Sequence, residues 1–108
     1  MNQAYIVDAV RIPRARAKGK EGAYGNLQAI ELLEPLFHAI EARNHLDSSQ
    51  VEDVLLGCNT QTSQQGANLA KISALYAGWS DKVPGVTINR FFCSGLDAIN
   101  MGAAKIMC

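Results

Sequence analysis

The stretch from Gly85 to Ala98, GVTINRFFCSGLDA, constrains this chain more than any other. It reads as a buried strand, a sharp turn and the start of a helix. Val86, Ile88 and Phe91 are β-branched or aromatic and follow the turn-forming pair Pro84-Gly85. From Leu96 onward the residues suit a helix, with Ala98, Ala103 and Ala104 among apolar Leu96, Ile99, Met101 and Ile106. Cys93 stands at the junction. A thiol there faces the free N–H groups of a helix N-terminus, whose partial positive charge favours the thiolate, the nucleophilic form. The same N–H groups can hold the oxyanion formed when sulfur attacks a carbonyl. Ser94 suits capping and Gly95 allows close approach. Cys93 is therefore the candidate nucleophile.

The rest of the chain alternates. Ala4 to Val10 is almost continuously apolar, which predicts a strand covered on both faces, with Asp8 at an edge or hydrogen-bonded. Pro13 ends it. Leu27 to Arg43 predicts an amphipathic helix: Ile30, Leu33, Phe37 and Ile40 recur at helical spacing and Leu36 widens the stripe. Pro35 either kinks this helix or marks the first turn of its regular part. His38, off the stripe, and His45, just past the helix, read as exposed and not catalytic. Ser49 and Glu52 have capping-box spacing. Val54 to Gly57 predicts a short buried strand, and Cys58 after it reads as a buried apolar residue. Thr60 to Gly66 is a polar loop. Ala67 to Ala77 predicts a helix with Leu69, Ile72, Leu75 and Tyr76 inward and Gly78 as its C-cap. Within it Asn68 and Lys71 are placed to brace neighbouring backbone. Trp79 reads as packing. The order strand, long loop, helix, strand, helix, strand, helix predicts an α/β fold around a parallel sheet.

Composition narrows the function classes. With 108 residues, 48% of them hydrophobic, the chain suits one globular domain. A formal net charge of zero argues against electrostatic nucleic-acid binding. No apolar run approaches the roughly 18 residues of a membrane span, and no apolar signal core opens the chain. Cys58, Cys93 and Cys108 are odd in number and lack metal-ligand spacing, which suits reduced thiols in the cytoplasm. Arg11, Arg14, Arg16, Lys18 and Lys20 cluster in one loop, as a landing site for a phosphate-bearing ligand or as a solvated segment. No aromatics interleave with them, and Gly19, Gly22 and Gly25 lack phosphate-loop spacing.

The segment Asn89 to Ala98 resembles the nucleophile motif of the thiolases, N-x-x-C-x-S-G-L-x-A. Tyr5 to Pro13 resembles the family's opening strand with its R-x-P ending, Val54 to Cys58 its second strand, and Gly66 to Lys71 the start of the next helix. The resemblance covers essentially the whole chain in family order. It implies a layered α-β-α-β-α fold built from two related halves, of which this chain supplies an N-terminal part, 1–108, cut within a helix. It implies thiolytic cleavage of 3-ketoacyl-CoA, or the reverse Claisen condensation, through an acyl thioester on Cys93. Coenzyme A enters as substrate, and the loop basic residues are candidates for its nucleotide end. No metal or redox cofactor is needed. Acyl-CoA substrates and a homodimer or homotetramer are the implied partners, with no nucleic acid and no membrane. An activating histidine, an oxyanion-holding histidine and an acid/base cysteine lie far downstream in the family, and His38 and His45 match none of their motifs. A ketoacyl synthase-type condensing enzyme, or a non-catalytic thiolase-like acyl-CoA or lipid binder, are the alternatives.

One departure matters. An ungapped match puts Phe92 in the nucleophile's place and Cys93 one place later. Either the turn shifts so that Cys93 presents its sulfur and Phe92 tucks into the core, or the site only binds.

Overall fold

The computed structural model describes residues 2–108. Helix α1 runs Ala29–Asn44. Its start is closed from both sides: Glu31 N–H donates to the Gln28 main-chain carbonyl at 3.0 Å, and the Glu31 carboxylate accepts from the Gln28 N–H at 2.6 Å. Pro35 lies inside the helix, so the Glu31 carbonyl loses its helical donor. His45 ends it in the left-handed region, φ 48°, and Leu46 N–H closes onto the Glu41 carbonyl at 3.0 Å. Strand β1, Val54–Gly57, helix α2, Leu69–Tyr76, and strand β2, Gly85–Ile88, form one parallel βαβ unit. Helix α3 follows at Ser94–Met107.

The register pairs Val54 with Gly85, Leu55 with Val86, Leu56 with Thr87 and Gly57 with Ile88. Alternation then sorts the side chains. Val54, Leu56, Gly85 and Thr87 share the face toward α2; Leu55, Gly57, Val86 and Ile88 share the face toward α3. Contacts agree. Thr87 Oγ1 accepts from Ala70 N–H at 3.0 Å and donates to Asn68 Oδ1 at 2.9 Å. Asn68 also donates to the Gly85 carbonyl at 2.7 Å, and Lys71 Nζ donates to the Asp81 carbonyl at 2.7 Å. The bracing expected of both residues is present. On the α2 side the core is Ala74, Ala77 and Trp79, packed by Phe37, Leu46, Val51 and Val54. The Phe37 and Trp79 rings meet edge to face, 4.8 Å between centroids. Gly78, at φ 81°, ends α2: its N–H bonds to the Leu75 carbonyl and Trp79 N–H to the Ala74 carbonyl, both at 3.0 Å.

Three expectations need correction. Ala4 to Val10 carries no strand; Tyr5, Ile6 and Val7 are 73–85% exposed. A strand exists only through a partner's hydrogen bonds, and among the described residues β1 and β2 pair only with each other, so this segment has no ladder. The segment is tied down at Asp8, which accepts from Arg43 and Asn44 of α1, each at 2.9 Å. The Asn44 amide foremost, then Ala9 N–H, holds the Asp8 carboxyl below its ordinary range. Helix α2 turns a small-residue face inward: Leu69, Ala70, Ser73 and Ala74 are buried while Ile72, Leu75 and Tyr76 are exposed. A Cβ on Gly85 would stand 2.7 Å from Lys71 N, so helix and strand approach too closely for large residues between them. Finally, the short turn Ser48–Gln50 is capped by Asp47, which accepts from Ser49 N–H at 3.0 Å, and not by Ser49 itself.

Helix α3 buries Ser94 and Ala98 and leaves Leu96, Ile99 and Ile106 more than half exposed. With Tyr5 to Val7 and the outer residues of α2, this is more apolar surface than a stable monomer presents. Sedimentation of the purified 108-residue chain is expected to show self-association at micromolar concentration; a clean, cooperatively unfolding monomer would overturn that expectation.

Candidate functional site

The strand-to-helix elbow is built by short-range hydrogen bonds. Asn89 Oδ1 accepts from Phe91 N–H at 2.9 Å, a turn that asparagine forms with its own backbone. Phe91 sits at φ 41°, left-handed backbone that costs an L-residue roughly 1–2 kcal/mol. Ser94 holds it there. Its N–H and its hydroxyl both donate to the Phe91 carbonyl, at 2.9 and 2.8 Å, and its oxygen accepts from Arg90 N–H at 2.9 Å. Ser94 is 5% exposed, so a small hydroxyl fits there and a larger side chain does not.

Cys93 is the N-cap of α3 and is exposed. Its carbonyl accepts the first helical bond, from Asp97 N–H at 3.0 Å. Its thiol donates to the Arg90 carbonyl at 3.2 Å. Among the described residues, the Gly95 and Leu96 N–H groups have no hydrogen-bond partner, so two donors are free beside the cysteine. A Cβ on Gly95 would meet nothing within 4 Å, so the outer side of the helix's first turn is open there, while the Gly95 nitrogen itself lies against Gly57 of β1. Such an arrangement can hold an anionic oxygen within reach of the sulfur.

The expected tucking of Phe92 does not occur: its exposure is 102%, and Phe91 is 64% exposed. The left-handed turn at Phe91 throws both rings outward, because the space beneath is taken by Ser94 against β1. Cys58 matches its expected role. It is 5% exposed, and its sulfur donates to Gln65 Oε1 at 3.4 Å. His38 is exposed, with Nε2 2.8 Å from the Ala77 carbonyl; a carbonyl only accepts, so this nitrogen carries the proton. Neither His38 nor His45 is hydrogen-bonded to an elbow residue. The loop basic residues Arg11 to Lys20 are exposed and make no ion pair among the described residues.

One contact escaped the sequence reading. Arg90 Nε donates to Asp97 Oδ2 at 2.8 Å, across the elbow. Asp97, as hydrogen-bond acceptor first and as counter-charge second, raises the Arg90 guanidinium above its already high range. A basic residue just before the turn and an acidic one in the helix's first turn were the available signal. A cleft of about 680 Å³ lies elsewhere, lined by Asp53, Leu55, Gly102 and Lys105 at the far part of α3. The chemistry points to the elbow and not to that cleft, which holds no thiol or histidine except the terminal Cys108.

Comparison with known proteins places these features. The family model for the thiolase N-terminal domain matches residues 4–108. The chain is 42% identical over 108 residues to a 3-ketoacyl-CoA thiolase of Shewanella loihica, covering 99% of this chain and 27% of that protein. It is 41% identical, with the same coverage, to a 3-ketoacyl-CoA thiolase of Citrobacter koseri. Among solved structures it is similar to the acetyl-CoA acetyltransferase of Bacillus anthracis, with TM-score 0.72 and 36% identity over 79% of this chain and 21% of that one. The chain spans about a quarter of the length of the curated relatives it matches, 27% in each case.

Proposed function

Since the chain belongs to the thiolase N-terminal domain family, we propose that the protein transfers acyl groups between a thiol and coenzyme A, with Cys93 as the acyl-carrying nucleophile. The observation that carries this reading is an exposed cysteine at the cap of α3, beside two unpartnered N–H groups and open space at Gly95. In the degradative direction the sulfur adds to the 3-keto carbon of a 3-ketoacyl-CoA. The bond between C2 and C3 breaks, its electron pair leaves on acetyl-CoA as the enolate, and that carbon takes up a proton. The thiol of a second coenzyme A then attacks the thioester and frees Cys93. The reverse sequence is a Claisen condensation. One hard cleavage becomes two easier steps.

The Cys93 thiol proton rests on a carbonyl, which cannot accept it as a base. An activating base must therefore approach from outside the described elbow: His38 is held by the Ala77 carbonyl, and His45 sits at the C-terminus of α1 with no hydrogen bond to an elbow residue. No step in this chemistry requires a metal or a redox cofactor. We assign the protein to the cytoplasm as a homodimer or homotetramer; the apolar faces of α2 and α3 support association. The match to the thiolase model speaks for thiolase over a ketoacyl synthase. A non-catalytic acyl-CoA binder is favoured by one observation: Phe92 occupies the motif's nucleophile place and is fully exposed there.

Trapping separates these readings. Incubated with a 3-ketoacyl-CoA and no free coenzyme A, the intact protein is expected to gain one acyl group on Cys93, released when coenzyme A is added. An adduct on Cys58 or Cys108, or binding without any adduct, would refute the nucleophile assignment.

A further inference from the structure

We propose that Arg90 and Asp97 are positioning residues for the Cys93 thiol, acting through the Arg90 carbonyl; the proposal rests on the acyl-transfer reading above. That carbonyl is the one group that receives the thiol, at 3.2 Å, and it also receives Cys93 N–H at 3.4 Å. Where it points depends on how residue 90 is held. Its N–H is fixed by Ser94 Oγ at 2.9 Å, and its side chain by Asp97 Oδ2 at 2.8 Å. Asp97 holds both sides of the cysteine. Its main-chain N–H bonds to the Cys93 carbonyl at 3.0 Å while its carboxylate binds Arg90. The elbow thus closes as a ring from Arg90 through Cys93 to Asp97 and back.

The ring is needed because Phe91, within it, is in left-handed backbone at φ 41°. Such a turn persists only where its surroundings over-determine it. Ser94 supplies the buried restraint at the first residue of α3, and the ion pair supplies a solvent-facing one three residues further along the helix. The pair is accessible to water, with side-chain exposures of 67% for Arg90 and 25% for Asp97. It is therefore a tuning restraint, sensitive to salt, and not a pillar of the fold.

Iodoacetamide alkylation of the intact protein, followed peptide by peptide, tests this without substrate. Arg90→Gln and Asp97→Asn are each expected to release the thiol from its carbonyl and to raise the Cys93 rate about threefold, the size of one exposed ion pair. The double variant should go no further, since all three remove the same contact. Raising ionic strength from about 10 mM to about 1 M should move wild-type Cys93 toward the variants, because iodoacetamide is uncharged and salt weakens the exposed pair. Cys58, buried, reports global opening and should keep its rate. In thiolysis the same variants are expected to lower kcat about threefold and leave KM unchanged, because a freer sulfur is a worse-placed one. Alkylation is thus predicted to rise while turnover falls, a combination that simple destabilisation does not give. Additive effects, a Cys93 rate indifferent to variant and salt, or a parallel rise at Cys58 would overturn the proposal. A wild type that alkylates as described yet shows no thiolysis would defeat the acyl-transfer reading and leave the positioning role standing.

Discussion

Cys93→Ala in the intact protein is expected to reduce thiolysis by a factor on the order of 10⁶, the scale seen when a covalent nucleophile is removed. No other thiol of this chain can substitute. Cys58 is 5% exposed, with its sulfur turned onto Gln65. Cys108 lies fifteen residues further along α3, which at the helical rise is about 20 Å away. Phe92→Ala provides the contrast. That ring is fully exposed, so its loss should leave the melting temperature unchanged. The decisive measurements are initial rates with 3-ketoacyl-CoA and coenzyme A for wild type and both variants. Thiolysis that survives Cys93→Ala would sink the nucleophile assignment. A wild type as inactive as Cys93→Ala, but still binding acyl-CoA, would establish the binding-only alternative.

The parts of the fold that are local in cause were legible in the residues. Val54 to Gly57 is a strand where the apolar run predicts one, and the elbow forms where strand-suited residues meet an alanine-rich helix. Gly78 and Trp79 also took their expected places, because a left-handed cap and an aromatic beside an apolar helix face are short-range matters. What failed depended on distant partners. Ala4 to Val10 has the composition of a strand covered on both faces, but composition cannot supply the ladder that makes it one. The inward face of α2 is not the one its periodicity predicts, because large apolar residues outweigh small ones in such a pattern. The contact at Gly85 admits only the small ones, and no pattern within α2 reveals that contact. At the site itself, Cys93 was visible as a residue type at a junction. The outward Phe92 and the closing of Arg90 onto Asp97 were not, since both depend on the left-handed backbone at Phe91, where phenylalanine gives no signal; the opposite charges at 90 and 97 show only that a pair can form.

Gly57→Ala should be the most damaging single methyl group in the chain. Gly57 ends β1 on the face toward α3, and a Cβ built there would stand 2.5 Å from Gly95 N and Ser94 C and 2.6 Å from Ser94 O. All three are backbone atoms at the start of a helix, so no side chain can rotate away. The methyl must instead push the N-terminus of α3 off the sheet. Forced overpacking of a tight contact costs about 1–3 kcal/mol, and with three backbone atoms in the way the upper end applies. Against a total stability of about 5–15 kcal/mol, that is a large fraction. The displaced residues are those that build the elbow: Ser94 makes both bonds to the Phe91 carbonyl, and Gly95 bears one of the free N–H groups. Gly57→Ala is therefore expected to lower the urea midpoint of the intact protein and, in whatever fraction remains folded, to slow acylation of Cys93. Gly95→Ala is the matched control. Its Cβ would meet nothing within 4 Å, and alanine is the better helix former by about 1 kcal/mol, so stability should hold or rise. Acylation should nonetheless fall, because the methyl would stand in the open space beside the cysteine through which substrate reaches the sulfur. A Gly57→Ala protein with an unchanged midpoint would mean that β1 and α3 do not meet as closely as these contacts require. A Gly95→Ala protein with undiminished acylation would mean that substrate does not approach the sulfur over Gly95.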